Sequence, residues 1–336
     1  MKRKQQSGFT LLETMASLVV LLVVSAIVMG GMNQMMKSQG TIANRTEMHT
    51  SVRGATELLQ QEIGQAGRIS LPPTPAGFVG PWLMKTAILV PGDVAVTAPA
   101  VQFSPELTTL FDGEQLLVDT GVNQETITIT CAIPGACTNT WIAGPFYNSH
   151  ALNVPISAPG AFATGVVPPA FGVTPGYIGY PNGSTGTTLK LFGDVNGDGN
   201  MQYIEYSCVQ GGNGGPQGFL YRNQMAFDAA LKPAIVPSMA VLTSLGTNPP
   251  DLNGNAVPCF TYQVQTLKTF VFVTDVAVTL TEETQNPDPQ THLTQRETKA
   301  LLNVSPRNVY DAYLLGRQDY TNRVQPIPFK TVNLLP

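Results

Sequence analysis

The residues best placed to do chemistry in this chain are the oxygens of one short run, Asp194-Val195-Asn196-Gly197-Asp198-Gly199-Asn200-Met201-Gln202-Tyr203-Ile204-Glu205. The run fits the calcium-loop spacing D-x-N-x-D-G-x5-E. Ca²⁺ takes about six to eight hard oxygen ligands, and this spacing wraps them round one point. Side-chain oxygens would come from Asp194, Asn196 and Asp198, a backbone carbonyl from Asn200, and a bidentate carboxylate from Glu205. Gln202 would contribute directly or through water, and Gly199 permits the sharp turn. The flanks, Leu189-Lys190-Leu191-Phe192 and Tyr203-Ile204-Glu205-Tyr206, read as strands and not as EF-hand helices. The expectation is an EF-like loop in a β context, with calcium as a structural cofactor. A Gly/Asn/Asp-rich hairpin turn without metal uses the same residue types. The terminal Glu205, which a bare turn does not require, favours calcium.

The second chemistry is that of sulfur. Cys131, Cys137, Cys208 and Cys259 allow three pairings. The favoured reading is Cys131–Cys137, closing Ala132-Ile133-Pro134-Gly135-Ala136 as a turn, with Cys208–Cys259 bracing two distant strands. Zinc is disfavoured, because CxxC spacing and neighbouring histidines are both missing. The three histidines, His49, His150 and His292, fall in no nucleophile or metal motif, and no phosphate-binding loop occurs. The sequence therefore nominates no catalytic residue, and the expectation is a protein that is not an enzyme.

The elements that must carry these groups begin with an unusual N-terminus. Lys2-Arg3-Lys4 form a short basic head ending at Gly8, and Phe9 opens an apolar run that continues to Met32. From Met15 to Met32 the only polar side chains are Ser17 and Ser25. A helix of about 20 such residues spans roughly 30 Å, the bilayer core. The basic flank places the head in the cytoplasm and sends the rest outward. An ordinary secretory signal has a shorter apolar region, about 7–15 residues, and a small-residue cleavage site after it. Here one carboxylate, Glu13, stands near the start of the run, and a lone charge in such a segment marks function.

Ser7-Gly8-Phe9-Thr10-Leu11-Leu12-Glu13 resembles the class III leader of type IV prepilins and type II secretion pseudopilins. The resemblance implies cleavage between Gly8 and Phe9 by prepilin peptidase, N-methylation of the new amine at Phe9, and an assembly role for Glu13. In that family the carboxylate pairs with the terminal amine of a neighbouring subunit. A carboxylate in hydrocarbon needs a cation, and the Phe9 amine is the only one nearby on the mature helix. The partners implied are other major and minor pilins, the inner-membrane assembly platform and prepilin peptidase. The implied location is the bacterial inner membrane before assembly, with the globular domain in the periplasm, and the extracellular fibre afterwards.

The helical pattern runs on. Met48, Val52, Ala55, Leu59, Ile63 and Ala66 recur at spacings of three and four, one apolar stripe. Leu58 widens it, while Arg53, Glu57, Gln60, Gln61 and Glu62 lie off it. Gly67, followed by Pro72 and Pro73, reads as the stop. Val52-Arg53-Gly54-Ala55-Thr56-Glu57-Leu58-Leu59-Gln60-Gln61-Glu62-Ile63-Gly64-Gln65-Ala66-Gly67 is similar to the matching region of PilW-like minor pilins, with Gly64 in place of the usual arginine. Asn303-Val304-Ser305-Pro306-Arg307-Asn308-Val309 resembles the closing strand of PilW-like and J-type pseudopilin domains.

Charged residues make up 12 % of the chain and the net charge is −4. Without Lys2, Arg3 and Lys4, 15 basic side chains face 22 acidic ones, a balance of −7. No basic patch stands out, so nucleic acid is not an expected partner. Plentiful Gly, Pro, Thr and Val favour β-structure with long loops. Period-two and β-branched runs place strands at 86–90, 100–103, 115–119, 125–131, 188–192, 202–209, 218–222, 261–265, 269–280 and 297–304. Val271 and Val273 alternate out of phase with Val276, Val278 and Leu280, which predicts a bulge near Thr274-Asp275. The expected fold is α+β, a type IV pilin-like arrangement. It comprises a leader (1–8), a transmembrane or fibre-core half-helix (9–32), an amphipathic half-helix (33–67) and a large β-rich domain (68–336). Residues 144–187, rich in Gly, Pro, Ser and Ala, are expected as a long surface excursion.

Overall fold

The computed structural model describes residues 10–78, 80–98, 101–105, 107, 109–133, 136–172, 177–211 and 217–336. Gly8 and Phe9 lie outside the described residues. The chain opens with one 55-residue helix, α1 (Leu11–Gln65). Thr10 and Glu13 have the spacing of a capping box, and the Glu13 backbone N–H lies 3.4 Å from Thr10 Oγ1. The helix stops at Gly67, whose φ of +83° is left-handed. A side chain there would collide with Val309, and a Cβ on Gly165 would stand 2.1 Å from the Gly67 Cα. Two glycines thus let the outlet of α1 cross a loop of the β-domain at backbone distance.

The strands in chain order are β1 (Leu83–Met84), β2 (Val96–Ala98), β3 (Phe103–Ser104), β4 (Gln115–Val118), β5 (Glu125–Ile133), β6 (Ala136–Phe146), β7 (Val154–Ser157), β8 (Ala161–Phe162), β9 (Thr188–Gly193), β10 (Gln202–Val209), β11 (Gly218–Ala226), β12 (Ala240–Gly246), β13 (Phe260–Leu267), β14 (Phe270–Glu283), β15 (Arg296–Val304) and β16 (Val324–Gln325). A first sheet runs β2-β6-β5-β4-β7-β1-β3, and a second runs β13-β14-β12-β11-β10-β9, with β15 also paired to β14. β16 and β8 form a short parallel pair. Two further helices, α2 (Arg307–Arg317) and α3 (Phe329–Val332), follow the second sheet. The result is α+β: a long N-terminal apolar helix and a large β-rich domain.

Contacts divide the chain into two units, residues 1–51 with 283–297, and residues 52–282 with 298–336. In the first, the side chains from Leu11 to Met36 are exposed, and α1 is long and apolar enough to cross a membrane by length and composition. The turn between β14 and β15 lies against α1. The Pro289 ring stands 3.0 Å from where a Cβ on Gly40 would sit, and Arg45 Nε donates to Gln295 Oε1 at 2.9 Å. In the second unit, Val52, Ala55, Leu59, Ile63 and Ala66 share one core with Leu191, Ile204, Leu220, Leu242 and Val276 of the second sheet. The predicted stripe is the buried face. Glu62, expected off the stripe, is also buried. Leu59 lies only three residues before it, so its side chain borders the same face.

Several sequence expectations change. Residues 161–169 are buried throughout, so 144–187 is not a surface excursion. It supplies β7, β8 and interior chain to the domain. Small Ala and Gly side chains there serve close packing instead of looping into solvent. The predicted strand at 86–90 is reduced to a single bridge, Ile88 with His150, because Pro91 and Gly92 end the run. The expected closing strand at 303–309 instead turns into α2 at Arg307, after Pro306 at the N-cap. The strands β1, β2, β6, β7, β8, β12 and β16 and the helices α2 and α3 were not expected. The predicted bulge is present: Gln263 faces Asp275 and Val264 faces Val273, which leaves Thr274 unpaired.

The first sheet buries a carboxylic acid. Glu114 is 1 % exposed. Burial pushes its carboxyl up to about 8, against a hydrogen bond from the Phe111 backbone N–H at 3.2 Å. The raised folded value means that the fold is favoured most below the unfolded value of 4.5 and loses this contribution as pH rises through 8. Glu114→Gln cannot ionise. It is expected to gain stability over the wild type by on the order of 3 kcal/mol between pH 5 and pH 9. Urea unfolding of both proteins across that range checks this, and a pH-independent difference would contradict it.

Candidate functional site

The first candidate is the start of α1. Between Leu11 and Met36 Glu13 is the only charged residue. It sits in the first helical turn, where the helix dipole favours a negative charge. Large apolar side chains surround it, each at least half exposed. Such a surface is stable only against hydrocarbon or other apolar helices.

The second candidate is the loop between β9 and β10. Gly193 and Gln202 face each other in the ladder, so the loop begins and ends there. Its first residue, Asp194, is fully buried. The Asp194 backbone N–H donates to Arg68 O at 2.9 Å. Asp194 Oδ2 accepts from Ser70 Oγ at 2.6 Å, and Arg68 Nε lies 3.6 Å from it. Asn196 Nδ2 donates to Asp198 Oδ2 at 2.7 Å, and the Asn200 N–H donates to Asp198 Oδ1 at 2.7 Å. That backbone bond, with Asn196, holds the Asp198 carboxyl below its ordinary value. Gly199, at φ +88°, turns the chain beneath Leu71 and Pro73.

Glu205 is not brought to this loop. It lies in β10 opposite Lys190 and Asn223, three residues beyond the loop's end. An EF-hand helix curls its twelfth residue back to the ion. A strand advances about 3.3 Å per residue and carries it away. Glu205 Oε2 instead accepts from Lys232 Nζ at 2.7 Å and from Tyr203 Oη at 2.9 Å. Gln202 Oε1 is held by Gln224. The twelve-residue wrap expected from the sequence is not formed. Among the described residues no group of three or more His, Cys, Asp or Glu side chains converges on one point.

Cys131 joins Cys137, and Cys208 joins Cys259, with Cα–Cα distances of 4.9 and 6.5 Å. The second bridge ties β10 to the chain entering β13 beneath α1.

Two polar clusters were not read from the sequence. Glu62 on α1 accepts from Arg222 Nε at 3.0 and 3.1 Å and from Tyr206 Oη. Burial disfavours the Arg222 charge, yet pairing with Glu62 holds its guanidinium above the ordinary value. Tyr206 and Arg222 are cross-strand partners, each two residues from a core residue of its strand, Ile204 and Leu220, and so on the core-facing side; that spacing was the available signal. The second cluster centres on His150, whose side chain is fully buried. Its Nδ1 lies 3.0 Å from Asp119 Oδ2 and its Nε2 2.7 Å from Glu125 Oε1. Hydrogen bonding to His150 lowers the Asp119 value. With both ring nitrogens held, the buried His150 acts as a staple that joins the β6–β7 connection to the end of β4 and the start of β5. His150→Gln is expected to cost about 2 kcal/mol in denaturant unfolding, because one carboxylate is left without its donor. An unchanged midpoint would contradict the staple.

A family model of the prokaryotic N-terminal methylation motif matches residues 3–29. No curated protein and no solved structure shows significant similarity to the chain. The match supports a type IV pilin-like or pseudopilin-like protein, anchored by a single apolar helix and of the kind processed by prepilin peptidase.

Proposed function

We propose that this chain is a minor type IV pilin, of PilW-like character, that primes, caps or joins the pilus fibre. The observation that carries the reading is the combination of the methylation motif with one continuous helix, apolar and exposed in its first half and buried on a β-sheet in its second. Prepilin peptidase cuts between Gly8 and Phe9, and the Phe9 amine is methylated. The apolar half leaves the bilayer and packs among the helices of major and minor pilins at the inner-membrane assembly platform. Glu13 pairs with the terminal amine of a neighbour. The β-domain remains outside. Its bulk limits lateral packing, which suits a tip or priming position better than a densely repeated shaft position. The mechanism is mechanical and has no catalytic step. A J-type pseudopilin of type II secretion would use the same N-terminal chemistry, and a tip module that binds a surface is the other alternative.

Mass spectrometry of the protein from membrane and sheared-fibre fractions of its own cell tests the reading. The expected result is a chain beginning at N-methylated Phe9 in both fractions. An uncut chain, or one cut after Met32 and released, would overturn it. Loss of secretion with pili intact in a deletion strain would select the pseudopilin.

A further inference from the structure

We propose that the 194–200 loop binds one calcium ion through Asp194, Asn196, Asp198 and the Asn200 carbonyl, with water where Glu205 was expected, and that the ion fastens the outlet of α1 to the second sheet. The argument starts from an orphan. Asp194 Oδ1 is buried and has no hydrogen-bond partner among the described residues, although the other carboxylate oxygen is engaged by Ser70. A buried anionic oxygen without a partner is costly and calls for a cation or a donor. Arg68 supplies a cation only at the edge. Its Nε is 3.6 Å from Oδ2, its side chain is 47 % exposed, and its Nη1 lies 3.2 Å from where a Cβ on Gly197 would stand. A guanidinium spanning these two points links the Asp194 carboxylate to the Gly197 turn of the loop.

Asn196 and Asp198 meet at the loop as well, side chain to side chain. Turning the Asn196 amide by half a rotation exchanges its nitrogen for its oxygen in the same place. The contact that now donates to Asp198 then becomes a second neutral oxygen beside a carboxylate. Two carboxylates, an amide oxygen, a backbone carbonyl and water meet the number and hardness of oxygens that Ca²⁺ takes. Mg²⁺ demands a tighter octahedron and sheds water reluctantly, so this irregular set suits the larger ion. Glu205 is excluded because Lys232 and Tyr203 already hold its carboxylate.

The consequence is mechanical. The Asp194 N–H holds Arg68 O, and the Gly67 N–H holds Phe192 O at 2.8 Å. Gly199 packs under Pro73. An ion on the loop therefore stiffens the segment by which α1 leaves its sheet.

The test is the melting midpoint and calcium-binding heat of the full chain in detergent, in EDTA and in millimolar CaCl₂, for the wild type, Asp198→Asn and Glu205→Gln. Asp198 is exposed at the loop tip, so its amide variant keeps the fold. Bound calcium stabilises the folded state alone by mass action. The expected result is a midpoint several degrees higher with calcium in the wild type and in Glu205→Gln. In Asp198→Asn affinity falls at least tenfold and the shift disappears. No shift in the wild type would overturn the proposal, as would a shift that survives in Asp198→Asn. Lost binding in a folded Glu205→Gln would restore the EF-type ligand set and overturn the assignment too.

Discussion

Alanine in place of Glu13 is expected to leave the chain processed and inserted while lowering its share of sheared fibres by at least about 100-fold. A charged side chain opposes membrane residence by about 2.5–3.5 kcal/mol at the centre of a spanning helix and by less near its end, so removing Glu13 makes the bilayer an easier place for α1. Any loss in the fibre must then come from pairing. Glu13 is the only charge between Leu11 and Met36, so among packed helices no other side chain of that segment can answer a buried terminal amine. Removing one partner of a buried ion pair costs about 3–5 kcal/mol, and each 1.4 kcal/mol is about tenfold in an equilibrium constant. Quantitative immunoblotting of membrane and fibre fractions reads the effect. Glu13→Gln, which keeps a hydrogen-bond acceptor but no charge, is expected to fall between. Equal incorporation of the alanine variant would show that Glu13 serves only insertion.

The same segment shows how unevenly the sequence reveals the molecule. The stripe from Val52 to Ala66 was legible because a helix repeats its face every three to four residues whatever it packs on. The unpaired Thr274 was legible for the same kind of reason, since a bulge shifts a strict period of two by one residue. β6 was not. Thr138, Thr140 and Ile142 do recur at period two, but the run sits beside Gly135, Gly144 and Pro145, and its strand is completed by the ladder that β5 offers. Propensity yields to such pairing. Residues 161–169 read as loop for their small side chains, which is also what a crossing of backbones at Gly67 and Gly165 requires. The calcium-type run was legible as oxygens at a spacing, but the spacing does not say whether a helix or a strand follows. That difference removes Glu205 from the ligand set. Glu62 was hidden because a charged residue beside a stripe is usually solvated, and only its partners on two strands make it interior.

Those partners give the second large effect. Glu62→Ala is expected to destabilise the folded chain by about 3–5 kcal/mol, because it leaves the Arg222 guanidinium half-buried without its carboxylate. Arg222→Ala is expected to cost a similar amount, now stranding Glu62. Tyr206 loses its acceptor in the first variant and keeps it in the second. The pair Glu62→Leu with Arg222→Met replaces both charges by apolar groups of similar reach. It is expected to lie closer to the wild type than either single alanine variant. Urea unfolding of the full chain in detergent, with the Glu62→Ala, Arg222→Ala double variant included, closes the cycle, and simple additivity of the two alanine changes would mean that the groups do not act together. The location gives the result its weight. Glu62 is on the half of α1 that shares a core with the second sheet, next to the outlet at Gly67. The apolar half of the same helix suits a bilayer or a fibre core, so in the proposed pilin role force on the fibre would reach the β-domain through this helix. An apolar stripe alone resists sliding along the helix axis poorly, since dispersion contacts are non-directional. The Glu62 carboxylate, held by a strand arginine and a strand phenol, fixes the register of α1 on the sheet. A folded variant lacking it is expected to be the first to part helix from sheet when fibres are sheared.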